Sequence, residues 1–211
     1  MKIYLPLLLW MFASAFTTAQ TSSPPAQEPK SGFILNINGK EYTISEGDEL
    51  KLDNPIDHPV ISVKLSEFKT FDNGSVVFNY PAYYSFEFDQ DFGYKNWTLN
   101  GKNYIVMFFE LDAQTPLDDL IEGMVKKFGK SNCKVVPVQL KLGEKQLDGK
   151  RINISLVGQK LTLDFLEIKL HDFKSRFIAF QDTKNDDGTA SEESFKSFHI
   201  IDSTIKYSAE H

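Results

Sequence analysis

Residues 96–111 read NWTLNGKNYIVMFFEL: a short alternating run, the dipeptide Asn100-Gly101, then a long run of β-branched and aromatic residues. Asn-Gly between two such runs is the strongest short-range hairpin signal, because both turn positions take a positive φ. The pattern recurs upstream. Residues 33–37 and 41–44 flank Asn38-Gly39, and residues 60–71 and 75–80 flank Asp72-Asn73-Gly74. Further strands are expected at 133–141, 151–156, 160–169 and 176–182, with Gly158-Gln159 turning between the middle two. Turns this short join antiparallel neighbours, so the sheet is expected to be largely antiparallel.

Two segments change the apolar period from two to 3.6. Thr115-Pro116-Leu117-Asp118-Asp119 reads as a helix start, with Thr115 as cap, Pro116 at the first helical position and two carboxylates where the helix dipole favours them. Leu117, Leu120, Ile121, Met124, Val125 and Phe128 then form one stripe, which Gly129 ends. A second helix is expected over 192–207, with Thr189 and Glu192 as a capping box and Phe195, Phe198, Ile201 and Ile205 as its stripe. The fold class expected is α+β: an antiparallel sheet flanked by two main helices, with an N-terminal β-hairpin extension.

The chain has 211 residues, 41% of them hydrophobic and 25% charged, which is enough for one packed domain and too little for two large ones. Its formal charge is −6, and no basic cluster exceeds a pair such as Lys126-Lys127. That composition argues against nucleic acid, which needs a basic face to release counterions, and against anionic lipid surfaces.

Residues 1–19, MKIYLPLLLWMFASAFTTA, have the layout of a secretory signal: a positive Lys2, an apolar run, then small residues. The expected cut falls between Ala19 and Gln20, with Ala13-Ser14-Ala15 as a second site. No cysteine stands near it, so a lipoprotein anchor is not expected, and the apolar run falls short of the ~20 residues that span a bilayer. The product is expected to be periplasmic or secreted, with no stable membrane anchor. Residues 20–31 hold Pro24, Pro25 and Pro29 and no large apolar residue, as a disordered linker does. A β extension is expected at 32–69 and the main domain at 70–211. The one cysteine, Cys133, has no internal partner for a disulfide.

Phe78-Asn79-Tyr80-Pro81 followed by Tyr83 and Tyr84, the capped helix at Thr115, and a closing helix with Ile201-Asp202-Ser203 resemble the PsbP/DcrB-like domains over residues 70–207. The resemblance implies an antiparallel sheet flanked by helices and a role in binding and assembly, as in the extrinsic photosystem subunit and the bacterial periplasmic members. Residues 32–69 have no counterpart in it.

Catalytic signatures are sparse. His58, His171, His199 and His211 are scattered, with no metal-binding spacing, and neither a nucleophile elbow nor a phosphate-binding glycine loop occurs. Residues 182–188, DTKNDDG, suggest a calcium loop, but setting Gly188 at the sixth position puts Thr183 first and Ser194 twelfth, where Asp and Glu are required. A looser site from Asp186, Asp187 and Glu192 is the alternative. Glu87, Asp89 and Asp91 alternate along one strand and so share a face, which would suit a carboxylate hydrolase if two of them flanked a cleft. Tyr83, Tyr84 and Trp97 lie near turns and are the candidates for an exposed partner-binding patch. Sequons stand at Asn73, Asn96 and Asn153.

Taken together, these features point to an exported, non-enzymatic binding or assembly factor that uses no cofactor. Its expected partner is a protein of the same exported compartment, and it is expected to be a monomer or weak dimer. A small-ligand or metal carrier is the alternative, and a hydrolase built on the sheet acids comes after it.

Overall fold

The computed structural model describes residues 26–170 and 172–208; the signal segment and the cut between Ala19 and Gln20 lie outside them. The strands are β1 (Gly32–Ile37), β2 (Lys40–Ser45), β3 (Ile61–Leu65), β4 (Phe68–Asp72), β5 (Val76–Pro81), β6 (Ser85–Asp91), β7 (Tyr94–Asn100), β8 (Tyr104–Leu111), β9 (Cys133–Leu142), β10 (Lys145–Leu156), β11 (Gln159–Glu167), β12 (Ser175–Thr183) and β13 (Lys206–Tyr207). Two helices accompany them, α1 (Leu117–Phe128) and α2 (Glu192–Thr204). Three antiparallel sheets result: β2-β1-β3, the seven-stranded β6-β7-β8-β12-β11-β10-β9, and β13-β5-β4.

This corrects the expected fold class. Strands take 51% of the described residues and helices 15%, so the described molecule is mainly antiparallel β and not a sheet flanked by helices. Two breaks in the chain account for the difference. The apolar run 60–71 divides at Ser66-Glu67 into β3 and β4, which join different sheets, and the closing helix stops at Ile205, after which β13 pairs with β5. The small β13-β5-β4 sheet thereby becomes a layer of its own. Residues 66–67 lie inside the β extension expected at 32–69, and β4 runs across the expected boundary at residue 70.

The large sheet is buried on both faces at its centre, β12 from Arg176 to Asp182 without interruption. Near-continuous apolar runs such as Phe177-Ile178-Ala179-Phe180 are what such strands require. Across the register, Phe88, Trp97, Phe108, Ile178, Leu166, Gly149 and Val138 form one row. That row meets Phe71 and Phe78 of the small sheet, and Phe71 lies 5.8 Å from Phe108 and 6.1 Å from Trp97, centroid to centroid. The adjacent row, on the other face, carries Met107, Ala179 and Phe165, and α1 covers it with Ile121, Met124 and Phe128.

Both helix starts differ from expectation by a residue or two. Pro116, not Thr115, is the cap of α1, and the Thr115 N–H donates to Ser175 Oγ at 2.8 Å. Ser191 caps α2 by accepting from the Ser194 N–H at 3.0 Å, while Thr189 turns away to Asp187. The buried face of α2 is Ser194, Ser197 and Ile201, with Phe195 left in solvent. Serines at the contact let the helix approach closely enough for Ser197 Oγ to meet the Tyr84 hydroxyl at 2.7 Å.

Asn38-Gly39 makes the expected turn, with φ of 52° and 85°. Asn100-Gly101 does not: Asn100 pairs with Ile105 inside the ladder, and the turn closes through the Gly101 N–H on the Tyr104 carbonyl. Gly101 is required for space instead. A Cβ there would lie 2.4 Å from Glu193 Oε1, 2.5 Å from Tyr84 Cζ and 2.7 Å from the Tyr104 carbonyl oxygen. In Gly101→Ala a backbone oxygen and a fully buried ring would both have to shift, so urea denaturation should show a loss of about 2–3 kcal/mol. Gly93→Ala, at φ 77° with open space around it, should lose only about 1 kcal/mol.

Candidate functional site

The three aromatic candidates separate once folded. Tyr84 is 1% exposed and Trp97 7%, both built into the core, while Tyr83 keeps 69% of its surface in solvent. Tyr83 donates its hydroxyl to Glu193 Oε1 at 3.0 Å, and burial together with the Glu193 charge pushes its pKa up to about 12. Glu193 also accepts from the Lys102 and Asn103 N–H groups. It fastens the β7–β8 turn to the start of α2.

Glu87, Asp89 and Asp91 do share a face, as period two requires. The register sets Glu87 against Thr98 and Thr98 against Met107, so the acids extend the α1 side of the large sheet beyond the helix. Each has a local partner. Glu87 Oε1 accepts from Asn100 Nδ2 at 3.0 Å, Asp89 from the Tyr94 hydroxyl and Asp91 from the Phe92 N–H. Asn96, Thr98 and Asn100 of β7 complete this polar strip, and the register alone would have placed them there. Glu87 Oε2 and Asn96 Oδ1 are withdrawn from solvent without a hydrogen-bond partner among the described residues.

Asp187 accepts from the Thr189 N–H and hydroxyl, which hold its carboxyl below the usual range, and Glu192 pairs with Lys196 at 2.6 Å. Asp182 accepts from Ser191 and Lys184, anchoring the entry to α2. Among the described residues no group of three His, Cys, Asp or Glu side chains is placed to hold a metal ion. His58 lies in the exposed loop before β3 beside Asp57, His199 is exposed on α2, and His171 and His211 fall outside the described residues. Cys133 is half-buried at the start of β9 against the α1 core, where burial pushes its thiol pKa up and suppresses the thiolate. All three sequon asparagines are partly buried; Asn96 donates to Thr98 and Asn73 accepts from Ser75 and Val76.

A charged network that sequence patterns did not reveal joins the layers. Arg176 is 4% exposed, and its Nε donates to Ser75 Oγ at 2.9 Å and Glu110 Oε2 at 3.1 Å, while both Nη atoms grip Asp172. Lys174 completes it, 2.8 Å from Glu110 Oε1 and 3.5 Å from Asp112. Asp112 in turn donates its N–H to the Gly93 carbonyl at 2.9 Å. One aspartate therefore fastens the β6–β7 turn, which carries Phe92, to the loop before β12, which carries Phe173. Both rings stand almost wholly in solvent at this end of the large sheet.

No protein-family model matches the chain, and no curated protein matches it. Among the described residues no helix is long and apolar enough to cross a membrane.

The Asp172–Arg176 pair makes stability depend on pH. Arg176 lowers the Asp172 carboxyl from 3.8 to about 2, so the pair stabilises the fold above pH ~4 and is lost as pH falls towards 2. The carboxylate is 47% exposed, which keeps the gain near that of a surface pair, under about 1 kcal/mol. Denaturation midpoints followed through that range should fall more steeply in the native chain than in Asp172→Asn, and equal slopes would remove this role.

Proposed function

We propose that this chain is an exported, non-enzymatic binding or assembly factor, and that it grips a protein partner at the end of the large sheet bearing Phe92 and Phe173. The observation carrying this reading is two bare aromatic rings on neighbouring loops, held together through Gly93, Asp112 and Lys174. Aromatic side chains on a fixed base lose little conformational entropy on docking, and they dominate the energy of protein interfaces. Asp172, Lys174 and Asp112 beside them supply the polar rim such an anchor needs.

A carrier would need room between the layers. The space between α1 and the sheet is filled by Met107, Ile121, Met124 and Phe128, and the space on the other face by Phe71, Phe78, Trp97 and Phe108. This packing favours surface recognition over an enclosed ligand. The compartment assigned here rests on the sequence of residues 1–19.

The test compares the exported chain with its Phe92→Ser/Phe173→Ser variant, each purified from the native host with its cross-linked partner. The variant should recover at least about 10-fold less partner, the scale of losing two interface anchors, with its melting temperature unchanged. Undiminished recovery overturns the reading.

A further inference from the structure

We infer that the β2-β1-β3 sheet is completed by a second copy of this chain, through antiparallel pairing of β3 with β3 of its twin about Val63. Among the described residues β3 is an edge strand, bonded to β1 alone. The Asn38 N–H donates to the Val60 carbonyl at 2.9 Å and the Ser66 N–H to the Gly32 carbonyl at 2.8 Å. Hydrogen-bonded pairs alternate along an antiparallel ladder, so Ser62 and Lys64 turn their backbone groups towards β1. Ile61, Val63 and Leu65 therefore present their N–H and C=O groups to the free edge. Their side chains share one face with Phe33, Leu35 and Ile37 of β1, and all three are more than half exposed.

Other edges of the fold carry the devices that discourage pairing. β9 contains Pro137 with Lys134 and Lys141, and β6 carries Glu87, Asp89 and Asp91. β3 has no proline, and its single charge, Lys64, reaches back across the sheet to within 3.5 Å of Glu41. The strand also suits itself as a partner. Paired about Val63, Ile61 faces Leu65 of the twin and Val63 faces Val63, so all three outward residues on each copy exchange main-chain hydrogen bonds. Ser62 faces Lys64, and no like charges stand directly opposite. The apolar face then runs unbroken over six strands.

Ile61, Val63 and Leu65 thus form a contiguous exposed apolar patch beside the unpaired edge, each more than half in solvent. Pairing removes from water the edge N–H and C=O groups and the flanks of these side chains, while the sheet face stays open, so the interface is at the small end for a specific contact, which sets the expected dissociation constant at about 1–100 μM. This interface lies apart from the Phe92 and Phe173 end, so its failure and that of the partner reading can be told apart.

The experiment is sedimentation equilibrium of the full exported chain from about 1 to 500 μM, with amide hydrogen exchange at both limits. A reversible dimer is expected, with the Ile61, Val63 and Leu65 amides gaining protection as concentration rises. Val63→Lys sets two ammonium groups face to face and should give a monomer of unchanged circular dichroism, whereas Val157→Lys, also at an exposed position, should still dimerise. A chain that stays monomeric throughout overturns the proposal, as does a dimer that survives Val63→Lys. Protection of these amides only when a different protein is added would assign the edge to that partner and overturn it too.

Discussion

The central strands of the large sheet bury both faces, and the rest of the architecture answers that constraint. β8, β11 and β12 carry apolar residues at consecutive positions, so water must be excluded above and below them. One face is covered by α1. The other needs a wider cover than α2 provides, and the small β13-β5-β4 sheet supplies it, with Phe71 stacked 4.8 Å from Phe78 and set against Trp97 and Phe108. Sheet packed on sheet is therefore the principal contact of the molecule.

Buried charge sits where these layers meet. Arg176 bridges β12, β8, the turn before β5 and the loop at Asp172, and each of its nitrogens with a bond has a carboxylate or hydroxyl partner. Desolvating a guanidinium is tolerable only with such saturation. Glu193 and Asp182 play the corresponding part at the opposite end, where they receive backbone and side-chain donors around the start of α2. These acids join elements, and the large apolar side chains left exposed include Phe92 and Phe173 at one end of the main sheet and those of β3 in the N-terminal sheet.

Strand existence was legible along most of the chain because period-two patterning and turn dipeptides act locally. The hairpin around Asn38-Gly39 formed as the residues required. The Asn100-Gly101 turn shows the limit: the glycine is there because Glu193, some ninety positions away, occupies the space a Cβ would need. Similarly, Tyr83 and Tyr84 are neighbours with the same side chain, yet one reaches solvent and the other meets Ser197 in the core. Phe92 and Phe173 carried no motif, since bare exposure depends on what the remaining chain leaves uncovered.

Local sequence determined the antiparallel hairpins, the amphipathic stripe of α1 and the shared face of Glu87, Asp89 and Asp91, because each follows from a backbone period of a few residues. Tertiary structure alone decided that residues 60–71 divide between two sheets, that the chain leaves α2 at Ile205 to form β13, and that Arg176 gathers Ser75, Glu110 and Asp172. These choices depend on which surfaces remain to be covered once the large sheet has formed. That is a property of the whole packed chain, and no window of residues contains it.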